Sequence, residues 1–513
     1  MLARVDTIAL DGIRAIPVEV EVDLGRGLPM LNMVGLPDGA VREAKDRVRA
    51  ALKNSGVQLP ARRITINLAP ADLPKEGSAY DLPMAMGLLA AMELVPGEQL
   101  RGRLFLGELS LDGRVKPVPG CLPAALLAKE LNLKELVVPA GNGSEGVLAG
   151  GRVIAPETLL DLMRHLSGEK PLDPVPPFDW TQALVDEEGR GIGRIRDLAD
   201  VKGQEHARRA LEVAAAGGHN LIMSGPPGSG KTLLARCLPG ILPALSLEEA
   251  LEVTAIHSVA GRLEGGAPLL TRRPFRSPHH TASHVALIGG GGVPRPGEVS
   301  LAHRGVLFLD EIPEFGRNVL ETLREPLEAG DVGISRAARS TRFPARFQLV
   351  AACNPCPCGH RGNPYIQCRC SPLQVERYGA RLSGPLLDRI DLHVEVPPVP
   401  PETLSELPSG ENSSTVRERV TEARTRQLRR NGAMILNAEL DGAPLDRVVA
   451  LDSPSRELLL LASRKLAFSA RSHNRILKVA RTIADLEGVE SIQSAHLAEA
   501  IQFRIGGRFP GSL

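Results

Sequence analysis

One eight-residue segment, GPPGSGKT at 225–232, constrains the fold of this chain more than any other feature. An apolar run precedes it at 221–223, and a helix-like stretch follows it at 233–238. This order of strand, glycine-rich loop and helix predicts a loop whose backbone N–H groups wrap a phosphate, whereas a chance glycine-rich turn would not need such a setting. We expect Lys231 to reach the β and γ oxygens of ATP and the Thr232 hydroxyl to be a ligand of Mg²⁺. The predicted nucleotide-binding residues are Gly225, Pro226, Pro227, Gly228, Ser229, Gly230, Lys231 and Thr232.

A second apolar run, 306–309, ends in two carboxylates, Asp310 and Glu311. The run predicts a buried strand that carries both side chains at its carboxyl end. There Asp310 can hold Mg²⁺ through water, and Glu311 can orient and polarise the attacking water. A carboxylate pair alone is weak evidence, but behind a phosphate loop at this distance it predicts an enzyme that hydrolyses ATP.

A third apolar run, 347–353, is followed by Asn354. The Asn354 amide is suited to hydrogen-bond the γ-phosphate or the attacking water from a neighbouring strand tip. A turn-forming Asn before Pro355 is the alternative interpretation. Apolar strands that alternate with helical segments across 220–396 predict a parallel sheet with helices on both faces.

Composition divides the chain into three folded units joined by two linkers. Strand-like runs at 63–68 and 136–138 alternate with helix-like runs, which predicts a compact N-terminal α/β unit. Two segments rich in Pro and other turn formers are typical of linkers, and helical periodicity alone follows the second. The predicted boundaries are 1–167 for the N-terminal unit, 168–194 for a linker, 195–400 for the nucleotide-binding core with a cysteine-rich loop at 353–371, 401–415 for a second linker and 416–513 for a helical lid.

Overall charge does not indicate a partner, because 61 Lys and Arg balance 60 Asp and Glu. Any DNA contact must therefore come from a local basic cluster. Only 3% of the residues are aromatic, which argues against a single-strand binder built on base-stacking platforms. We expect a cytoplasmic protein with no membrane partner, because no leader pattern begins the sequence and no apolar run reaches the roughly 20 residues that a bilayer needs.

Five of the seven cysteines fall between 353 and 370. Cys353 lies in the predicted strand and is expected in the core. The other four form a CxC, nine-residue spacer, CxC pattern, and four soft ligands so spaced can close a tetrahedral Zn²⁺ site that folds the loop. Four reduced thiols in a surface loop are the alternative, although exposed thiols oxidise readily. The predicted ligands are Cys356, Cys358, Cys368 and Cys370, with His360 as a possible substitute, while His279 and His280 are expected to be polar loop residues.

The segment SGPLLDRID at 383–391 places Arg389 between two Asp residues, where a solvated salt bridge is one interpretation. In its order of motifs, however, the chain resembles AAA+ ATPases of the helix-2-insert group, the magnesium-chelatase-related and MCM-like motors. This resemblance implies that Arg389 is an arginine finger that reaches the ATP of a neighbouring copy, and therefore a closed homo-hexameric ring. It also implies a lid arginine called sensor 2, for which Arg471 and Arg475, one helical turn apart, are both candidates.

Three long motifs narrow the resemblance further. They are PFRSPHHTASHVALIGGG at 274–291, RPGEVSLAHRGVLFLDEIPEF at 295–315 and ARTIADLEG at 480–488. These motifs resemble the ComM/YifB family of magnesium-chelatase-like proteins, and the resemblance runs essentially from end to end. It implies a hexameric, ATP-driven DNA helicase that promotes branch migration while incoming single strands recombine during natural transformation. The implied partner is DNA, both single-stranded and branched.

The segment GISRAARSTRF at 333–343 predicts a hairpin just ahead of the Asn354 strand. A solvated basic edge is one interpretation of its three arginines, Arg336, Arg339 and Arg342. In related ring motors the same hairpin points into the central pore, which implies that these arginines grip DNA phosphates. The glycine run at 289–292 resembles a second pore loop of that group, or is a plain flexible connector. The stretch at 424–430 carries four arginines at helical spacing, and it is either a further basic candidate for DNA contact or only a solvated helix face.

Two N-terminal segments, LPKEGSAYDLPMAM at 73–86 and GELSLDGRVKPVPGCLPAALL at 107–127, resemble the proteolytic domain of Lon. That domain uses a Ser nucleophile and a Lys base, and a match without gaps puts Ala79 and Ala124 at those two positions. Alanine supplies neither a nucleophilic oxygen nor a titratable amine, and Ser78, one residue away, still lacks a base. We expect a non-catalytic domain that serves assembly or grips DNA.

Two functions compete with a DNA motor. The first is a magnesium-chelatase-like remodelling ATPase that acts on a protein complex, which would use the same engine but need separate partner subunits. The second is a Lon-type protease, which the two alanines oppose. The arginine-bearing hairpin and the ComM-like motifs favour DNA.

Overall fold

The computed structural model describes residues 2–180, 196–263, 269–292, 294–336, 339–364, 366–399, 408–432, 434–466 and 468–505. Over these ranges the chain forms an N-terminal unit of mixed sheet and helices, a central unit built on a parallel sheet, and a C-terminal unit of helices. These three units, in this order, confirm the predicted fold class. Parts of the two predicted linkers, 181–194 and 401–407, lie outside the described residues.

The N-terminal unit packs helices against a mixed sheet. Its strands are β1 (Leu2–Asp11), β2 (Arg14–Gly25), β3 (Met30–Val34), β4 (Arg63–Ala69), β5 (Arg103–Phe105), β6 (Glu108–Leu109), β7 (Val115–Lys116), β8 (Glu135–Val137) and β9 (Val153–Ile154). Its helices are α1 (Gly39–Asn54), α2 (Asp81–Ala91), α3 (Cys121–Glu130), α4 (Gly143–Gly146) and α5 (Leu159–Leu166). Seven strands form one sheet in the order β3-β4-β2-β1-β5-β8-β9.

The longest pairing in this sheet is the antiparallel hairpin of β1 and β2, which runs from Leu2 opposite Asp23 to Asp11 opposite Arg14. Gly12 turns the chain there with φ +62°, a conformation that favours glycine. Every residue of α2 is buried, which makes it the central helix of the unit and explains why its sequence after Asp81 is apolar on all sides.

The central unit carries the nucleotide-site motifs on a parallel sheet. Its strands are β10 (Leu221–Ser224), β11 (Phe275–Arg276), β12 (Gly289–Gly290), β13 (Arg295–Pro296), β14 (Val306–Leu309), β15 (Asp331–Arg336), β16 (Arg339–Pro344), β17 (Gln348–Cys353) and β18 (Leu392–Glu395). Its helices are α6 (Glu205–Gly217), α7 (Lys231–Ile241), α8 (Leu247–Val259), α9 (His284–Ile288), α10 (Glu298–Leu301), α11 (Arg317–Glu321), α12 (Arg324–Ala329), α13 (Pro372–Gly379) and α14 (Gly384–Leu387).

Five of these strands form the sheet, in the order β11-β14-β17-β10-β18, and all neighbouring pairs are parallel. Alternate residues of β10 enter different cores, since Leu221 and Met223 pack on one face of the sheet and Ile222 on the other. This burial on both faces explains the continuous apolar runs in the sequence. We call the side where the strands end the carboxyl edge and the opposite side the amino edge.

Two small hairpins project from the central unit. β12 pairs antiparallel with β13, so the glycine run is not a plain connector, and a Cβ at Gly289 would lie 2.4 Å from the Arg295 carbonyl oxygen. β15 pairs antiparallel with β16, which confirms the hairpin predicted from the arginine-bearing segment. Arg336 stands opposite Arg339 in its register, next to the tip.

The C-terminal unit consists of helices, as the periodicity predicts: α15 (Ser413–Asn431), α16 (Gly442–Val448), α17 (Ser453–Lys465), α18 (Ala470–Leu486) and α19 (Ser494–Ile505). The interpretation of the arginines at 424–430 as a solvated helix face holds for Arg429 but not for Arg424 or Arg430. The Arg424 guanidinium donates to the Ala215 carbonyl at 2.6 and 2.9 Å, and Arg430 pairs with buried Asp485 at 2.6 Å. α15 lies between α6 and α18, so Arg424 and Arg430 bind those helices, whereas Arg429 is exposed.

The N-terminal unit docks onto the central unit through buried polar contacts. Gly120 N donates to Ser258 Oγ at 3.1 Å, and that hydroxyl donates to buried Glu145. The turn of β1 and β2 reaches the β15–β16 hairpin, where a Cβ at Gly12 would lie 2.4 Å from the Arg342 carbonyl oxygen. Among the described helices, none combines the length and apolar character needed to cross a bilayer.

Candidate nucleotide-binding site

The glycine-rich loop leaves β10 at the carboxyl edge and leads directly into α7. Gly228 and Gly230 have φ values of +77° and +92°, which only glycine adopts without strain, and open space surrounds both positions. A Cβ at Gly225 would lie 2.2 Å from the Val396 carbonyl oxygen, so the loop begins in a slot that only glycine fits. These glycines therefore set the shape of a phosphate-binding loop.

The Lys231 side chain is buried inside this loop. Its Nζ donates to the carbonyl oxygens of Gly225 at 2.7 Å and Pro226 at 2.9 Å. It also reaches Asn354 Oδ1 at 3.3 Å, from the tip of the adjacent strand β17. Burial lowers the pKa of Lys231, although the nearby charges of Asp310 and Glu311 oppose that shift. The structure thus brings together the lysine and the amide that the sequence placed 123 positions apart.

A hydroxyl and a carboxylate meet beside the loop. Thr232 Oγ1 donates to Asp310 Oδ2 at 2.8 Å, and Asp310 Oδ1 accepts from Glu311 N at 3.0 Å. Hard oxygen donors of this kind are the ligands that Mg²⁺ prefers. The buried Ser229 Oγ has no hydrogen-bond partner among the described residues, as expected of a group that faces a polar ligand. The donor set therefore fits a magnesium-bound nucleoside triphosphate.

Glu311 lies at the mouth of the site with its side chain about half exposed. Its backbone adopts φ +50°, which is uncommon outside glycine and is found where a side chain must point in a set direction. His280 lies beside it, with Nδ1 3.8 Å from Glu311 Oε2. The His280 ring is tilted by 34° against the His279 ring and makes an edge contact with Phe315. Sequence analysis placed His280 in a polar loop and missed this contact, because only tertiary structure joins two residues in separate loops.

The predicted arginines lie on the amino edge. A cleft of about 930 Å³ opens there, lined by Asn220, Gly305, Gln348 and Asp391 at the starts of four sheet strands. Arg389, Arg471 and Arg475 line the same cleft. These three arginines therefore lie at the opposite edge of the sheet from the phosphate loop of their own chain.

Arg389 does not form the solvated salt bridge with its flanking aspartates. Its side chain is only 9% exposed and pairs with Glu328 of α12, while Nη1 donates to the Pro385 carbonyl at 2.6 Å. Of the flanking carboxylates, Asp388 contacts Arg504 at 3.4 Å and Asp391 contacts Arg475. The interpretation of Arg389 as part of a solvated salt bridge with Asp388 or Asp391 is therefore wrong. Tertiary packing pairs each of these three side chains with a residue distant in the sequence.

Asp391 organises the amino edge around a buried carboxylate. It accepts from Arg475, from His219 Nδ1 at 3.2 Å and from Asn220 N at 3.3 Å. Burial raises the pKa of Asp391, but the Arg475 charge and the His219 hydrogen bond outweigh that effect and hold the pKa below its ordinary value. Arg475 is thus fixed by an ion pair, whereas Arg471 is largely exposed at the cleft.

The four cysteines of the paired CxC motifs converge into one group. All four sulfur atoms lie within 4.8 Å of one another, and three of the separations are 3.4, 3.6 and 3.7 Å. A tetrahedral zinc ion with bonds of about 2.3 Å sets sulfur atoms about 3.8 Å apart, so the group fits that ion. His360, the possible substitute, does not belong to the four groups that converge. The cysteines are Cys356, Cys358, Cys368 and Cys370.

The predicted DNA contacts lie on the β15–β16 hairpin. Arg342 is 75% exposed and forms a surface ion pair with Asp331 at 3.2 Å, at the base of the hairpin. The side chains of Arg336 and Arg339 lie outside the part of the chain that the structure describes. The backbone places both residues beside the tip, farther out than Arg342.

The two alanines of the protease-like motifs lie in a single apolar cluster, with Ala79 packed against the core that contains Ala124. The neighbouring Ser78 hydroxyl donates to Glu108. Lys75, a buried lysine nearby in sequence, donates to the Pro70 carbonyl. Ser78 thus pairs with a carboxylate and Lys75 with a backbone carbonyl.

Comparison with known proteins matches this chain along its length. The family model described as "Magnesium chelatase, subunit ChlI" matches residues 197–404. Models for "Subunit ChlI of Mg-chelatase" and "Magnesium chelatase, subunit ChlI C-terminal" match residues 20–142 and 410–504.

Individual relatives cover nearly the whole chain. Protein YifB of Escherichia coli (strain K12) is 47% identical over 505 residues, which is 98% of this chain and 97% of that protein. Competence protein ComM of Haemophilus influenzae is 46% identical over 505 residues, with the same shares covered. Lon protease 2 of Bacillus subtilis is 29% identical over 206 residues, 34% of this chain and 36% of the protease.

Proposed function

Since the chain belongs to the ComM/YifB family of magnesium-chelatase-like AAA+ proteins, we propose that it is an ATP-hydrolysing motor that promotes branch migration of DNA. The observation that supports the proposal is that Lys231 meets Asn354 and Thr232 meets Asp310 at the carboxyl edge, while arginines line a cleft at the amino edge. The first set is suited to bind and hydrolyse ATP, and the second is suited to serve a neighbouring copy.

In the proposed reaction each group at the carboxyl edge has one task. Lys231 and the loop N–H groups hold the phosphates, and Thr232 and Asp310 would hold Mg²⁺, which would supply positive charge near the phosphoryl oxygens. Glu311 accepts a proton from the attacking water and orients it. Asn354 fixes the position of Lys231 and of that water, as its 3.3 Å contact with Nζ supports.

A ring follows from the separation of the two edges. One chain cannot bring Arg389 or the lid arginine to its own phosphate loop, because the sheet stands between them. A head-to-tail neighbour can, and head-to-tail contacts whose rotation closes form a ring, proposed to be a hexamer. Arg389 then acts as the finger, and Arg471 is favoured over Arg475 as the lid arginine because Asp391 already holds Arg475.

DNA is the proposed substrate of this ring. The hairpin carries Arg336 and Arg339 beside its tip, where they can contact phosphates without reading the base sequence. The name of the Haemophilus relative, a competence protein, supports a role in recombination during natural transformation. The N-terminal unit is proposed to be a non-catalytic Lon-like domain that supports the hairpin from its base, as the close approach of Gly12 to Arg342 suggests.

The converged cysteines are proposed to hold a structural Zn²⁺ ion. Four thiolates satisfy a tetrahedral ion completely and leave no position for a reacting water, so this metal takes no part in hydrolysis.

The decisive experiment is ATP-dependent strand exchange on a synthetic four-way or three-strand DNA junction. Wild type is compared with Glu311→Gln, which should bind ATP without turning it over. Glu314→Gln is the matched control, because it makes the same change at an exposed carboxylate three residues away. We expect junction conversion with wild type and with Glu314→Gln, and none with Glu311→Gln.

A different outcome would favour a remodelling ATPase with a protein client, a role that the chelatase family models support. If wild type hydrolyses ATP, moves no junction and is not stimulated by DNA, the DNA-motor proposal is wrong. The client is then to be sought among protein complexes.

A further inference from the structure

The cysteine loop is continuous with the nucleotide site. Strand β17 ends at Cys353, whose carbonyl oxygen accepts from Gly225 N at 3.2 Å, at the start of the phosphate loop. Asn354 contacts Lys231, and Cys356, the first cysteine of the converged group, follows only two residues later. Cys356 is fully buried, so its sulfur is anchored against the core at the carboxyl edge.

The cysteine loop also touches the phosphate loop directly. A Cβ at Gly359 would lie 2.5 Å from Cδ and 2.8 Å from Cγ of Pro227, so the backbone of residue 359 packs on the proline ring. Gly359 has φ +81°, a left-handed conformation that positions its backbone for this approach. Pro227 belongs to the GPPGSGKT segment, and a shift of its ring would move the loop that wraps the phosphates.

The segment 356–370 has little apolar material to hold it in this position. Its composition is dominated by Gly, Pro, Arg and Cys, and Ile366 is about half exposed. A loop of this kind cannot offset its ordering entropy by burial and needs a cross-link. The four sulfur atoms, mutually within 4.8 Å, are the group able to supply one.

We propose that Zn²⁺ bound by the four cysteines is a working part of the nucleotide site, because it holds Gly359 against Pro227 and so keeps the phosphate loop competent to bind ATP. Binding converts four thiols into thiolates, releases up to four protons to solvent and leaves the oxidation state of the metal unchanged. The Arg361 backbone N–H donates to Cys356 Sγ at 3.3 Å, which stabilises the charge on the bound sulfur. Loss of the metal, by chelation or by thiol oxidation, releases the loop and weakens ATP binding.

This inference rests on the proposed ATP site and deepens it. The test measures zinc content by atomic emission and the Kd of a fluorescent ATP analogue on the full chain. Gly359→Ala adds one methyl group at the contact with Pro227 and removes no ligand. Gly362→Ala is the matched control, since Gly362 lies in the same loop with a similar φ of +79° but has no neighbour within 4 Å of an added Cβ.

We expect wild type to hold about one zinc ion per chain. Gly359→Ala should keep its zinc but bind the analogue at least tenfold more weakly, whereas Gly362→Ala should match wild type in both. The double variant Cys358→Ser, Cys368→Ser should lose zinc and analogue binding together, with the circular dichroism of the remaining fold preserved.

Three results would overturn the inference: zinc-free wild type, unchanged analogue affinity in the zinc-free double variant, or equal effects of the two glycine substitutions. Failure of zinc-loaded wild type to bind the analogue would instead refute the proposed ATP site itself. The two failures are therefore distinguishable in one set of titrations.

Discussion

Mixing two inactive variants of the chain tests whether Arg389 acts on the nucleotide of a neighbouring copy. Glu311→Gln removes the proposed catalytic carboxylate from the carboxyl edge, and Arg389→Ala removes the proposed finger from the amino edge. Glu311 and Arg389 lie at opposite edges of one sheet. A site between two chains would therefore take Glu311 from one chain and Arg389 from the other. A mixed interface can therefore be intact although both chains are defective.

The size of the rescue follows from counting interfaces. In a ring assembled at random from equal amounts of both variants, about one quarter of the interfaces pair an Arg389 donor with an intact Glu311 acceptor. If interfaces act independently, ATP turnover should return to about a quarter of the wild-type rate and fall off symmetrically as the ratio departs from one. Co-expression with two different affinity tags, tandem purification and a coupled ATPase assay would measure this.

The matched control addresses the ion pair between Arg389 and Glu328 within one chain. If Arg389→Ala acts only by breaking that pair, Glu328→Gln should cause the same loss of activity. We expect Glu328→Gln to retain most of its turnover, because the arginine remains. Mixed rings no more active than the weighted sum of the two variants would refute action in trans.

Three further predictions concern single positions. Gly225→Ala should abolish ATP binding, because the new Cβ would lie 2.2 Å from the Val396 carbonyl oxygen, and a calorimetric Kd close to that of wild type would contradict this. Asp391→Asn should lower the free energy of unfolding by about 3 kcal/mol, because it leaves Arg475 without its buried partner. The pKa of Asp391 is lower in the folded protein than in the unfolded chain, where it is about 4. The stabilisation by the Asp391–Arg475 ion pair is therefore present above the unfolded pKa and is lost as the pH falls through the folded pKa. The urea midpoints of variant and wild type should accordingly converge in acid. His280→Ala should reduce kcat severalfold and leave the ATP affinity unchanged, because the imidazole lies beside the Glu311 carboxylate and not at the phosphate loop. Equal losses in kcat and in ATP affinity would argue against a positioning role.

The core of the nucleotide site was predictable because its residues sit at the ends of strands. Each motif combines an apolar run with the polar residue that follows it, and parallel strands bring such residues to one edge. Lys231, Asp310 and Asn354 therefore meet in the structure although 123 positions separate the first from the last. The helical C-terminal unit was predictable for a similar reason, since its periodicity is local.

The N-terminal hairpin of β1 and β2 was not predicted, although its two strands form the longest pairing among the described residues. Its strands carry charged residues among the apolar ones, so their pattern gives a weaker signal than a fully buried strand. The arginines of α15 were misjudged for another reason. Helical spacing shows which residues share a face but not whether that face meets water or another helix.

The sequence by itself determined the order of units, the phosphate loop, the position of the carboxylate pair at a strand end and the cysteine pattern, because each depends on residues close together in the chain. Only the tertiary structure decided that Arg389 pairs with Glu328 and not with its neighbours, and that Gly359 packs on Pro227. Ion pairs and close contacts form between whichever groups the packing of distant elements brings together. A short-range pattern can show that a charge or a glycine is present, but its partner is chosen by the fold.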